Sequence, residues 1–428
     1  MEQLPDVAPR PYRMHNQIQH YAWGTTDEDA FISDLLGMEP EPGVPYAELW
    51  MGAHPKAPSA IEADGGETVP LDAWIAAHPH ELLGQEVAER FGQLPFLFKV
   101  LSAGQSLSIQ AHPTKAQAEA LHEKDLEHYP DDNHKPEIAV TLDHLTALMG
   151  FKPLEELAAV LEDYPEMATF VGTAVADRVR DGVSANGEAL ADEAARRLTR
   201  ELFTTLIERA TDDPGALAEA VDALARRLAA SLDALGEVEA RFLELRQRYG
   251  SRDVGLFAML LFNLVHLEAG EAIYTKAGVP HAYLGGNIVE CMANSDNVVR
   301  VGLTPKYKDA ETLLKIVDTT PQEPEVLEGA WDVKARGITA VVYKTPADEF
   351  EIRRWELAPG AEHTVNTSSR PAVLLLTEGE VEIVWETGRM RLSRGETAFI
   401  PACLPMYTVR TIDGARIVWS GVPDPEGL

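Results

Sequence analysis

The sequence predicts a mainly β protein with an α-helical insertion: two β domains, the last of sandwich or jelly-roll type, plus a helical domain. Three observations lead there. Short apolar runs alternate with Pro/Gly turns at both ends of the chain. A block rich in Ala, Leu, Glu and Arg, with helical periodicity, lies between them. Strand-like segments resume directly after that block, as expected of one β unit split by an insertion.

Residues 1–151 carry the strand candidates Pro95–Leu101, Leu107–Ala111 and Leu145–Met149, with short helical patches at Leu71–Ala77 and Thr114–His122. In 152–265, Leu154, Leu157, Ala158 and Leu161 follow the i, i+3, i+4, i+7 pattern of one helix face. Leu217, Val221, Leu224, Leu228 and Leu232 repeat it over a longer stretch. Such stripes face a core. Strand character returns after Gly270 at Tyr274, Val279, Ile288–Val289, Val298–Val299 and Val301, so 266–328 should complete the sheet begun before 151. The last domain, 329–428, reads as closely spaced strands at 340–343, 350–352, 373–376, 381–385, 397–400 and 416–419, the spacing of a sandwich or jelly roll.

A length of 428 residues suits two or three domains. Lys and Arg number 37 against 69 Asp and Glu, a net charge of −32 that argues against nucleic acid and anionic membranes as partners. An anionic substrate would need local basic groups. No apolar run approaches the roughly 18 residues of a membrane span, and the first residues carry acids and prolines without an apolar signal segment, so a cytoplasmic location is expected. The two cysteines, Cys291 and Cys403, exclude a disulfide framework and form no CxxC pair for a thiolate metal site.

The chemistry is concentrated in three segments. In Leu107–Pro113, strand alternation puts Ser108, Gln110 and His112 on one face and Leu107, Ile109 and Ala111 on the other, apolar one. In Asn133–Ala139, Pro136 favours an extended backbone before it, and Lys135 then shares a face with Glu137. In Gly270–Tyr283, His281 and Tyr283 share a face. Two imidazoles, a carboxylate and an amide oxygen suit zinc or a similar divalent ion. The chain has 13 histidines, and His54, His122, His128 and His134 compete for the same role.

The chain resembles the type I mannose-6-phosphate isomerase family, of the cupin superfamily. The resemblance rests on Tyr21–Gly24, Ala47–Pro55, Pro95–Leu101, Gln110–Pro113, His134–Glu137, Ala277–Tyr283 and Val289–Lys306, in order. It implies a cupin-type catalytic unit, a helical insertion and a second cupin-like unit. It also implies one zinc ion per chain on Gln110, His112, Glu137 and His281, and a sugar phosphate as substrate. The implied reaction interconverts mannose 6-phosphate and fructose 6-phosphate through a cis-enediol. Arg300 is then expected to stabilise the enediol, and Lys135, Glu290 and Asp296 are the candidates for proton transfer. Lys99, Ser108, Tyr283 and Lys306 are expected substrate contacts. The second cupin motif is imperfect, since Lys276 stands where proline is common. Gly395–Pro401 fits the opening of another such motif, but Met406 lies where its histidine would follow, so no metal is expected there. Rival readings are a cupin oxygenase using iron, against which the amide ligand and the Lys/Arg set argue, and a non-catalytic sugar-phosphate binder. No Gly-rich nucleotide-binding segment near the start supports an added guanylyltransferase.

Overall fold

The computed structural model describes residues 4–63, 66–184, 192–230, 235–335 and 337–424. Among these, ten strands form one sheet and twelve form another, and the named strand pairs are antiparallel. The ten-stranded sheet runs Val326–Leu327, Ala272–Thr275, Glu137–Phe151, His281–Ala293, Phe96–Ala103, Glu48–Met51, Gln17–Gln19. Phe262–Glu268 pairs beside Glu137–Phe151, and Ile109–Ala111 lies between His281–Ala293 and Val299–Gly302. Segments from before and after the helical block thus interleave in one sheet, as the return of strand character anticipates.

Phe96–Ala103 is buried along its whole length, which explains its unbroken apolar run: it is covered on both faces. The two long strands, Glu137–Phe151 and His281–Ala293, bend at register shifts around Gly285 and Gly286. Gly286 has φ +123°, and a Cβ there would lie 2.1 Å from the His144 carbonyl oxygen, so only glycine permits the close approach.

The helical block contains Leu154–Asp163, Pro165–Val171, Thr173–Ser184, Asp192–Asp212, Pro214–Ala229 and Glu237–Tyr249. Leu154, Leu157, Ala158 and Leu161 are buried together, as are Leu217, Val221, Leu224 and Leu228; Leu232 lies outside the described residues. The same core takes in Ile109, Ala111, Val299 and Val301 from the sheet. The helices therefore back the two strands that carry Gln110 and Arg300. Phe262–Glu268 is a strand that starts inside the span read as helical. Its apolar run is too short for periodicity to decide, and the Asn263 amide donates to the carbonyls of Met149 and Phe151 at 3.0 Å each, pinning it to the sheet.

In the twelve-stranded sheet, the segments read as 373–376 and 381–385 are one strand, Ala372–Trp385, bent at a bulge between Leu376 and Glu378. Tyr12–His15 pairs with Thr397–Phe399, joining the start of the chain to its last strands. Nothing local announces that pairing, nor the short helices Phe31–Leu35, Pro79–Leu83 and Gln85–Phe91. Tyr12 is 1 % exposed, meets Trp74 edge-on at 4.8 Å, and exchanges hydrogen bonds with the Ala8 backbone at 2.7 and 2.8 Å. Tyr12→Ala is expected to destabilise the fold by about 3–5 kcal/mol, seen as an earlier midpoint in urea unfolding; an unshifted midpoint would show that this strand adds nothing to stability.

Candidate metal centre and active site

Burial of Ile109 and Ala111 against the helices turns Gln110 to the opposite face of its strand. Gln110 is paired in register with both His281 and Arg300, so the three side chains stand side by side. Glu137 opens its strand opposite Thr275 and Met292. His112, Glu137 and His281 are 0 %, 1 % and 1 % exposed, and one potential ligand atom from each lies within 4.8 Å of the others.

Hydrogen bonds fix which imidazole nitrogens face inward. His112 Nδ1 donates to the Asn297 carbonyl at 2.8 Å, and His281 Nδ1 donates to the Val279 carbonyl at 3.0 Å. A backbone carbonyl only accepts, so in the neutral rings both Nε2 atoms carry bare lone pairs. They point at Glu137: His281 Nε2 is 2.9 Å from Oε1 and His112 Nε2 is 3.6 Å from Oε2. His112 Nε2 and Glu137 Oε1 are buried with no hydrogen-bond partner. Three acceptors converging without a proton between them repel, unless a cation bridges them. Burial, then Lys135, pushes the His112 imidazole down to about 4, which keeps it in the neutral, ligating form. Burial opposes ionisation of Glu137, yet the Lys135 ammonium beside it holds its carboxyl well below the ordinary range. The Gln110 amide nitrogen lies 3.5 Å from His281 Nε2; with the amide turned over, its oxygen faces the cluster. This donor set could hold a divalent metal ion.

Charged groups surround the cluster. Lys135 Nζ is 3.5 Å from Glu137 Oε2. Glu290, 2 % exposed, accepts from the Tyr283 hydroxyl at 2.9 Å and from Lys99 Nζ at 2.6 Å. Burial raises the Glu290 carboxyl above its ordinary range, with Lys99 opposing and Glu137 adding to the rise. Burial would lower the Lys99 ammonium, but Glu290 and Glu48 outweigh it and raise its pKa. Burial, and then the charges of Glu290 and Glu137, keep Tyr283 protonated. Asp296 is more open and pairs with Lys56 at 2.7 Å. Among the described residues Arg300 makes no ion pair, and burial lowers its pKa. Burial, and then the charge of Arg300, lower the Lys306 ammonium. Ser108 is half-buried ahead of its strand, and among the described residues no hydrogen bond joins it to the cluster.

The competing histidines are engaged elsewhere. His54 lies 3.7 Å from Asp296, His122 bonds the Tyr129 carbonyl at 2.7 Å, His128 bonds Asp125 at 2.9 Å and His134 bonds Glu349 at 2.7 Å. Sequence reasoning missed Glu48, which binds Lys99 at 3.2 Å and accepts from the Trp50 indole at 2.5 Å. It also missed the carbonyls of Asn297 and Val279 as orienting groups. A charged residue inside the apolar run Ala47–Met51 was the available signal for Glu48; the carbonyls leave none.

A buried His–Glu–His group that could hold a metal ion, set among antiparallel strands, is the kind of site a cupin-type metalloprotein carries. The family model "Phosphomannose isomerase type I, catalytic domain" matches residues 12–154. Mannose-6-phosphate isomerase 2 of Arabidopsis thaliana is 36 % identical over 425 residues, covering 96 % of this chain and 93 % of the relative. Mannose-6-phosphate isomerase of Rattus norvegicus is 37 % identical over 411 residues, covering 92 % and 94 %. A crystal structure of a variant phosphomannose isomerase from Salmonella typhimurium superposes with TM-score 0.78 at 32 % identity, covering 96 % of this chain and 99 % of that one. A zinc-bound mannose 6-phosphate isomerase gives TM-score 0.78 at 32 % identity, covering 97 % and 100 %. The chain belongs to the type I phosphomannose isomerase family and is an enzyme of the isomerase class. No described helix is long and apolar enough to cross a membrane.

Removing Lys99 tests the charge balance of the interior. In Lys99→Met, Glu290 loses the cation that favours its ionised form, so its pKa rises further. The folded state then keeps a proton that the unfolded state has released, and stability falls as pH rises past the ordinary carboxylate range. The melting temperature of Lys99→Met relative to the parent should therefore drop between about pH 5 and pH 8; a constant difference would contradict this account.

Proposed function

We propose that this chain interconverts mannose 6-phosphate and fructose 6-phosphate through a cis-enediol, with one zinc ion held by Gln110, His112, Glu137 and His281. The observation that carries the reading is the convergence of bare Nε2 lone pairs on a buried carboxylate, two of these atoms lacking any hydrogen-bond partner. Nitrogen and oxygen donors suit zinc, and a zinc-bound relative of the same fold supports that choice. When bound, the ion supplies Lewis-acid polarisation of sugar oxygens. In this reading 1–151 with 266–328 forms the catalytic unit, 152–265 the helical insertion and 329–428 a cupin-like unit without metal.

The chain's own residues divide the remaining work. A base removes the C2 proton of the open-chain aldose while O1 gains a proton, giving the enediol; O2 then loses a proton and the base returns one to C1. Glu290 is the best-tuned base, because burial raises its carboxyl toward neutrality. Lys99 and Tyr283 hold its two oxygens. Lys135, beside Glu137, is placed to exchange protons with the sugar hydroxyls. Asp296, more open and tethered by Lys56, is placed for ring opening. Arg300 stands beside Gln110 and, among the described residues, pairs with no carboxylate, which suits it to charge developing on the enediol oxygens. Lys306 extends this cationic patch toward the phosphate, and Ser108 lies at the approach to Gln110.

In a coupled isomerase assay, the protein is expected to turn over mannose 6-phosphate, to lose activity to a chelator and to regain it with zinc. Bound zinc without turnover would sink the substrate assignment and favour the non-catalytic binder. Arg300→Ala should keep its zinc while kcat falls about 10²–10³-fold; full activity would remove Arg300 from catalysis. Glu137→Gln should lose zinc in elemental analysis.

A further inference from the structure

Asp253 follows the last long helix of the insertion and is 5 % exposed. Its carboxylate faces four donors. Oδ1 accepts from the backbone N–H groups of Gly255 and Leu303 at 2.8 Å each; Oδ2 accepts from Thr304 N at 3.3 Å and Lys308 Nζ at 3.4 Å. Three of these donors belong to the segment that leaves the Arg300 strand and carries Lys306.

That segment does not hold its shape by itself. Leu303 is buried with φ +56°, a left-handed conformation that a branched side chain adopts only under outside constraint. Gly302 and Gly255 are in direct apposition: a Cβ on Gly302 would lie 2.4 Å from Gly255 N and 2.5 Å from Asp253 Oδ1. From Thr304 the link continues, since its hydroxyl accepts from the Lys306 backbone N–H at 3.1 Å. On the far side Asp309 accepts from the Tyr129 hydroxyl at 3.0 Å.

We propose that Asp253 is a positioning residue for the anionic end of the substrate: from the helical insertion it clamps the backbone of Leu303 and Thr304 and so fixes the segment that carries Lys306 out of the Arg300 strand. The inference rests on the reading of Lys306 as a phosphate contact. It gives the insertion a share in substrate binding although, among the described residues, no hydrogen bond or ion pair joins its helices to the metal cluster. The carboxylate is the required group. An amide in its place would turn an N–H toward the Thr304 N–H or the Lys308 ammonium, donor against donor.

The test is a double-mutant cycle on the zinc-loaded enzyme. Asp253→Asn is expected to raise KM for mannose 6-phosphate about tenfold, with kcat within about twofold and zinc content unchanged. Inhibition by inorganic phosphate should weaken in parallel. In a Lys306→Met background the same substitution should change KM less than about twofold, because the group it positions is gone. Equal effects in both backgrounds, or a fall in kcat with KM unchanged, would overturn the proposal. If Asp253→Asn does not fold, Thr304→Ala enters the cycle instead, with an expected threefold rise in KM that also vanishes with Lys306→Met. Calorimetric titration with inorganic phosphate separates the two readings. Weakened phosphate binding in Asp253→Asn upholds the clamp even if mannose 6-phosphate is not turned over, and unchanged binding overturns it.

Discussion

Burial of the Glu137 carboxylate, 1 % exposed, is the constraint on which the rest of the site depends. Taking one carboxylate out of water costs several kcal/mol even after relaxation, so its surroundings must compensate. Lys135 does so in part. A second layer repeats the problem, with Glu290 and Glu48 on either side of Lys99. Glu48, Glu137 and Glu290 set against Lys99 and Lys135 leave one negative charge unbalanced in the interior. A divalent cation at the lone-pair cluster would reverse that sign, and in the proposed reading it joins Arg300 and Lys306 in attracting a phosphate. The charges of the metal site and of the substrate site are thus one arrangement.

Much of this was legible because strand alternation is a strict rule. Ile109 and Ala111 belong to a core, so Gln110 cannot, and its registered partners His281 and Arg300 inherit the same face. The helical insertion was equally readable, since Leu154, Leu157, Ala158 and Leu161 form one stripe and are buried as one. The choice among 13 histidines was different in kind. It depends on where each second ring nitrogen finds an acceptor, and those acceptors are carbonyls of distant residues such as Asn297 for His112. A family pattern could supply that choice; spacing could not.

What stayed hidden is non-local. Tyr12–His15 looks like any short strand, and its partner lies almost the whole chain away. Phe262–Glu268 looks like the end of a helical block because its seven residues are too few to display a period. Asp253 reads as a turn residue between helices, and its contact with Leu303 arises only because the insertion folds back on the strand bearing Arg300. Residues that position others leave a weak trace in sequence, because the hydrogen bonds they make are to backbone atoms that every residue possesses.

The overall charge of −32 opposes an anionic substrate at long range, but distance removes the conflict. At physiological salt the Debye length is about 8 Å, so exposed acids farther away than that are largely screened. In the proposed reading Arg300 and Lys306 act within contact distance of the substrate, and burial of Arg300 reduces the screening it feels. Each cation is also left without a carboxylate among the described residues, in a chain with nearly twice as many acids as bases. Keeping them unpaired requires that the backbone around them be held by groups that do not neutralise them. Asp253 meets that requirement: its charge is taken up by the N–H groups of Gly255, Leu303 and Thr304 and by Lys308, which in the proposed reading leaves Lys306 free for the substrate.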